Sequence, residues 1–317
     1  MSASSSWAHD GRLAPPWRWL SAHLYYHDDS DELLRQCVRP LVGELTAAGL
    51  IDGFCFVRYW QGGRHVRLRV LLTERRGEEQ VAERIDAHAG RFFAACPSHA
   101  TVGLEDYLRT AGWLSRHEFG RQVTIEPLQP DNSLRYSPYV PEYRRLGGPA
   151  GVAAVEPHFV ASSGIALDLL AATPSRGQHT GRALAMMLLA GAVLIPDRRS
   201  LARFFRACYR GWASRLTGGA EPDELRQRYD RQRDQLGDLV RQLLGEAARP
   251  GDDHRDDIIT RWLACNTALR DRLWPEAVTA PLLWQCLHKH NNRLGISLAE
   301  EVYLLFLLHR TLAEDPR

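Results

Sequence analysis

GFCFVRYWQGGRHVRLRVLLT, residues Gly53–Thr73, carries the pattern of a β-hairpin. Phe54–Trp60 is rich in aromatic and apolar residues, and Gly62-Gly63 supplies a turn, because glycine tolerates the positive φ angles a tight hairpin needs. On the return strand Val66, Leu68 and Val70 alternate with His65, Arg67 and Arg69. A strand has a side-chain period of two, so one face enters a core and the other carries an imidazole and two guanidiniums. A two-residue loop at Gly62-Gly63 would set Arg58 directly opposite Arg67. Like charges so placed repel unless an anion lies between them. Two readings stand for this polar face. It is a solvated strand face, as charged side chains usually are, or the floor of an anion site, since the guanidinium fork fits carboxylate and phosphate.

Composition sets the wider frame. At 317 residues the chain can bury a large core as one domain or two intimate ones. Its 44% hydrophobic and 25% charged residues are ordinary for a globular protein, and a net charge of +2 gives no support to bulk nucleic-acid binding. The basic residues are almost all arginine, Lys289 being the sole lysine. Six cysteines are scattered without a CxxC pair, which predicts buried free thiols, neither zinc site nor disulfide framework, and a reducing cytoplasm. The N-terminal MSASSSWAHDGRLAPPW has no apolar core of a secretory signal, and no run of about 18 apolar residues predicts a membrane span.

Upstream of the hairpin, residues 1–16 read as a flexible leader, and Trp17–Tyr26 as a strand. Asp28-Asp29-Ser30-Asp31 offers a helix N-cap. The helix that follows carries Leu33, Leu34, Val38, Leu41, Leu45 and Ala48 at helical spacing, should kink at Pro40 and should stop at Gly49. Downstream, Glu78–Cys96 is a second helix, Tyr107–Trp113 a short one and Val123–Leu128 a strand, before a loop marked by Pro130, Asp131, Asn132 and Ser133. YVPEYRRLGG at 139–148 is irregular. From about Val152 the pattern is helical: 161–171, 182–194, 200–216, 224–246 and 256–273 each fit a helix. The charged stretch 224–249 interleaves opposite signs, as a half-exposed helix does. The expected fold class is α+β: an N-terminal mixed β-sheet with helices, followed by a mainly helical C-terminal half.

Pro281–Gly295, PLLWQCLHKHNNRLG, predicts a helix opened by proline and closed by glycine. His288 and His290 are two residues apart, so a helix points them in different directions and they do not share a metal. Either is a core histidine or a general acid or base near neutral pH.

Three segments in order, FVRYWQGGRHVRLRV (56–70), YVPEYRRLGG with Glu156 and Phe159 (139–159) and LHKHNNRLGI (287–296), resemble the C-terminal, elimination-type domain of lantibiotic dehydratases and the stand-alone thiopeptide biosynthesis proteins. The resemblance runs from Trp17 to about Leu312, which implies one domain over 17–317. Lys289 stands where methionine is usual, Leu146 replaces a tyrosine, and Pro141 takes a position often held by arginine. The resemblance implies a cytoplasmic lyase that matures a ribosomally made peptide, needing no metal or organic cofactor. Elimination of glutamate from glutamylated Ser or Thr would leave dehydroamino acids. Its partners would be a precursor peptide and a separate glutamyl-tRNA-dependent glutamylating enzyme, with no direct nucleic-acid or membrane contact. Catalytic roles fall by resemblance on His288, Arg58, Arg67 and Arg69, and substrate-binding roles on His65, Glu142, Arg145, His290 and Asn292. The same fold also implies a formal aza-[4+2] cyclisation that joins two dehydroalanines into a pyridine and expels the leader peptide. A third reading is a non-catalytic partner that binds the leader, for example by strand addition to a sheet edge.

Overall fold

The computed structural model describes residues 18–119, 123–172, 175–216, 223–248, 257–273 and 279–314. The leader at 1–16 and Trp17 lie outside them. The chain builds a sheet of four strands: β1 (Trp19–Tyr25), β2 (Ile51–Tyr59), β3 (His65–Leu72) and β4 (Ser133–Tyr136), in the order β2-β3-β1-β4. The α+β division holds, and every pairing in the sheet is antiparallel. A helical segment fills the β1–β2 connection as α1 (Ser30–Leu33), a π-helical turn at Leu34–Val38 and α2 (Arg39–Ala47). Asp29 caps it, accepting from Asp31 N at 2.9 Å, and Gly49 ends it at φ +67°. The π turn ends two residues before Pro40, whose missing N–H and ring interrupt the regular i→i−4 ladder there.

Two more helices, α3 (Glu78–Ala95) and α4 (Leu104–Phe119), precede β4. The second of these is longer than its sequence pattern suggests. The strand expected at Val123–Leu128 is absent; the chain there is irregular and the fourth strand starts at Ser133, inside the expected loop. Pro127 and Pro130 have no N–H for a ladder, whereas Ser133–Tyr136 lies in register with Tyr25–Ala22.

The C-terminal half is α5 (Pro149–Ala172), α6 (Arg176–Leu194), α7 (Arg198–Leu216), α8 (Asp223–Ala247), α9 (Asp257–Leu273), α10 (Thr279–Arg293) and α11 (Leu298–Glu314). By length and composition α5 is apolar enough to cross a membrane, yet most of it is buried inside the protein. It runs between β2, α9 and α10 and is apolar all round for that reason. One buried apolar cluster continues from Trp19 through the sheet to Leu312.

The hairpin loop spans residues 60–64, five rather than two. Val57 therefore faces Arg67, while Arg58 faces Val66 on the other side of the sheet. The expected Arg58–Arg67 confrontation does not occur. Gly63 is required in this loop: its φ is +102°, and a Cβ would stand 2.5 Å from His27 Nε2.

Candidate active site

The apolar face of the hairpin, Phe56, Val66, Leu68 and Val70, is fully or almost fully buried. The opposite face carries His65, Arg67 and Arg69 in register with Tyr25, His23 and Ser21 of β1. His23 and His65 stack with ring centroids 5.1 Å apart, and Tyr25 lies 4.5 Å from His65. Burial, with Arg67 nearby, pulls His23 down to about 4 and His65 to about 3, so both are neutral over the ordinary pH range. His65 is buried against this stack, away from the cavity, and its Nε2 accepts from Arg67 Nε at 3.2 Å. Its place is that of a support for Arg67.

Arg67 and Arg69 open onto a cavity of about 440 Å³ whose other walls are the loop 140–145 and His288, Lys289 and Asn292 of α10. Arg67 lies 3.6 Å over the Tyr59 ring and Arg69 4.7 Å over Tyr139. Among the described residues neither guanidinium has a carboxylate at ion-pair distance, and Arg69 Nε is buried without a hydrogen-bond partner. A half-buried cation without a counter-ion is costly, and burial already depresses the Arg67 pKa. An anion placed in the cavity would remove that cost.

Arg58, also at the rim, is committed elsewhere. It pairs with Asp31, and its Nε and Nη2 donate to Arg293 O at 3.1 and 3.0 Å. Asn292 is equally occupied: Oδ1 accepts from Arg58 N at 2.8 Å and Nδ2 donates to Arg58 O at 2.9 Å. With Arg293 Nε donating to Phe56 O and Ser163 Oγ accepting from Phe56 N, α5 and α10 close the edge of β2. That edge is shut to strand addition at Phe56 and Arg58.

The two histidines of α10 diverge as their spacing requires. His290 is 1% exposed, bonds Ser162 through Nδ1 at 2.8 Å and lies 4.2 Å from the Trp262 ring. Burial pushes its pKa well down, and it belongs to the core, not to the cavity. His288 lines the cavity and also a second hollow of about 720 Å³ walled by Trp212 and Trp284. The two hollows share Arg144, Arg145 and His288. His288 Nδ1 is 2.8 Å from Oε2 of Glu301, a carboxylate 1% exposed whose Oε1 accepts from Asn291 Nδ2 at 3.1 Å. An Nδ1 bonded to a carboxylate carries the ring proton, which makes Nε2 the basic nitrogen of the neutral imidazole. Sequence reasoning missed Glu301. The signal was a carboxylate on the stripe of Leu304, Leu305, Leu308 and Leu312, all buried.

The irregular loop behaves as its sequence predicts, with Gly147 and Gly148 at φ +75° and +92°. Glu142 Oε1 accepts from Lys289 Nζ at 2.6 Å, and Arg145 stands 3.6 Å from Oε2. Burial alone would raise the Glu142 carboxyl, but Lys289, Arg145 and Arg69 bring it down to about 2. Among the described residues no cluster of His, Cys, Asp and Glu could hold a metal ion.

Residues 19–312 match the family described as lantibiotic biosynthesis dehydratase C-term, and the chain belongs to it. Among solved structures it is similar to the pyridine synthase TbtD from thiomuracin biosynthesis, with a TM-score of 0.77, 20% identity, and coverage of 94% of this chain and 98% of that one. It is similar to TsrL at a TM-score of 0.66 and 19% identity, covering 93% and 94%. The tRNA-dependent lantibiotic dehydratase MibB from Microbispora sp. 107891 aligns at a TM-score of 0.58 and 20% identity over 95% of this chain but 28% of that one. No curated protein matches the sequence.

Proposed function

We propose that this chain, acting as a single domain, matures a thiopeptide or lanthipeptide precursor by eliminating glutamate from glutamylated Ser or Thr. The observation that carries the reading is the pair Arg67 and Arg69, half-buried beside a cavity with no carboxylate partner among the described residues. An elimination of this kind needs a base, an anion cradle and an exit. His288 Nε2 takes the Cα proton. The electron pair forms the Cα=Cβ bond, the Cβ–O bond breaks, and glutamate leaves as a carboxylate. Arg67 and Arg69 stabilise the enolate and the departing carboxylate, the part of the path where charge develops. Lys289, paired with Glu142, and Arg145, 3.6 Å from the same carboxylate, form the facing wall. No cofactor is called for by this route. The esterification that precedes it belongs to a separate glutamyl-tRNA-dependent enzyme, and the work is done in the cytoplasm.

A second reading has its own support. The chain spans 98% of a pyridine synthase at a TM-score of 0.77, against 28% of a dehydratase. In that reading the protein is an aza-[4+2] cyclase releasing the leader. Mass spectrometry of two peptides separates them. Release of glutamate from a glutamyl-Ser peptide is the expected result. Leader release from a peptide bearing two dehydroalanines, with the ester left intact, would replace elimination by cyclisation and take the proton-transfer role from His288.

A further inference from the structure

We infer that the chain holds a second, separate binding site, a basic trough between α7 and the end of α11 that takes an acidic peptide segment. The trough encloses about 910 Å³ and is lined by six arginines: Arg198, Arg199, Arg203, Arg206, Arg210 and Arg310. Only two carboxylates line it, Asp197 and Glu314. Both are already engaged. Asp197 Oδ2 accepts from Ser200 N at 2.8 Å, as a cap of α7, and Glu314 is bound by Arg310 at 2.8 Å and by Tyr229 Oη at 3.0 Å.

Arg199, Arg203, Arg206 and Arg210 are all exposed. They recur at i, i+4, i+7 and i+11, one stripe of roughly 16 Å at 1.5 Å per residue. Among the described residues none of the four has an ion pair, and Arg203 donates only to Ser200 Oγ at 2.8 Å. The neighbouring helix α8 differs. There Arg226, Arg228 and Arg241 are each matched by an acid three or four residues away, Asp223, Glu224 and Asp238. Self-neutralised charge is what a solvated helix carries. An unbalanced stripe inside a concavity has the complement of a ligand bearing several carboxylates.

The ligand is a peptide rather than a nucleic acid. Ala202 and Ala313, over the buried Leu312, give the trough a small apolar strip that suits leucine or alanine side chains. Its two ring-bearing lining residues, Tyr209 and His309, are both buried and offer no platform for a base. The trough and the reaction site are linked by one helix: Arg206 and Arg210 line the trough, while the adjacent Ala207 and Gly211 line the hollow that reaches His288. That the acidic segment is part of the substrate peptide, outside the residues that react, rests on the function proposed above.

The test is fluorescence anisotropy of the intact protein with a labelled amphipathic peptide of about 12 residues of Glu, Leu and Ala, and a control with Gln for Glu. The Glu peptide should bind at least about tenfold more tightly than the control and weaken with salt. The triple variant Arg203→Glu, Arg206→Glu, Arg210→Glu, checked for native fold by circular dichroism, should lose that advantage. Equal binding by wild type and variant, or by the two peptides, would overturn the site. So would displacement of the peptide by a lower concentration of single-stranded RNA, which would assign the trough to phosphate. The assay does not depend on the reaction. Glutamate release from a short ester peptide without acidic residues should survive in the triple variant, so failure of the trough and failure of the proposed function give different results.

Discussion

Arg58 and Arg67 stand on the two strands of one hairpin, yet their surroundings are opposite. Arg58 faces Val66, and its Nε and Nη2 are taken by Asp31 and the Arg293 carbonyl. Arg67 faces Val57, rests on Tyr59 and meets no carboxylate among the described residues. Loop length decides between them, because a shift of one residue exchanges the faces of a strand. The arginine that fastens α10 to the sheet is thus distinguished from those that await an anion. The largest effect should come from breaking the second set. Arg67→Ala with Arg69→Ala should cut glutamate release by ~10²–10³-fold, measured as single-turnover kinetics, with the melting temperature little changed. Arg58→Ala should do the reverse. It leaves Asp31 and the Arg293 carbonyl short of a partner, at a cost of ~2–4 kcal/mol read in a urea titration.

The histidines of α10 repeat the contrast at closer range. His288→Gln should lower turnover by ~10²-fold, as loss of a general base does. His290→Ala should register in stability, ~2–4 kcal/mol, through the space left beside Trp262 and the lost Ser162 bond. Glu301→Gln should fall between them, with turnover down about tenfold. The carboxylate on Nδ1 fixes which ring nitrogen of His288 carries the proton, so the variant should show a changed tautomer signature in nitrogen NMR. An unchanged signature would reduce Glu301 to a packing residue.

Much of this contrast could be read in advance, and its limits are physical. Alternation from His65 to Val70 fixed which residues of β3 share a face, because period two leaves no freedom within a strand. It said nothing about β2, whose phase depends on a loop whose five residues include more than its two glycines. Spacing separated His288 from His290 but could not tell which entered the core; that depended on Trp262, 28 positions before His290 in the chain, and Ser162, 128 positions before it. Glu301 was missed because Glu300-Glu301 at the start of an apolar helix read as N-terminal charge. The strand at Ser133–Tyr136 was hidden for a different reason. Four residues edge onto β1 after a proline-rich approach, and so short a segment has no periodicity to display.

The smallest effect concerns Lys289. Its ammonium, 2.6 Å from Glu142, is the main reason that carboxyl titrates near 2 in spite of burial. A folded-state pKa below the unfolded value of 4.5 gives stability that is present above pH 4.5 and is lost as pH falls toward about 2. Glu142 is about a third exposed, so solvent screening holds the contribution to roughly 1 kcal/mol. In Lys289→Met the difference from wild type should therefore be present at neutral pH and vanish near pH 2, in urea midpoints taken across that range. The variant also sharpens the contrast between paired and unpaired arginines. Glu142, deprived of its lysine, has Arg145 and Arg69 as its remaining cations. Any share of Arg69 that it takes is withdrawn from the substrate anion, so glutamate release should fall by about twofold to fivefold although no residue assigned to the chemistry has been touched. Release equal to wild type would mean that Arg69 answers only to the cavity.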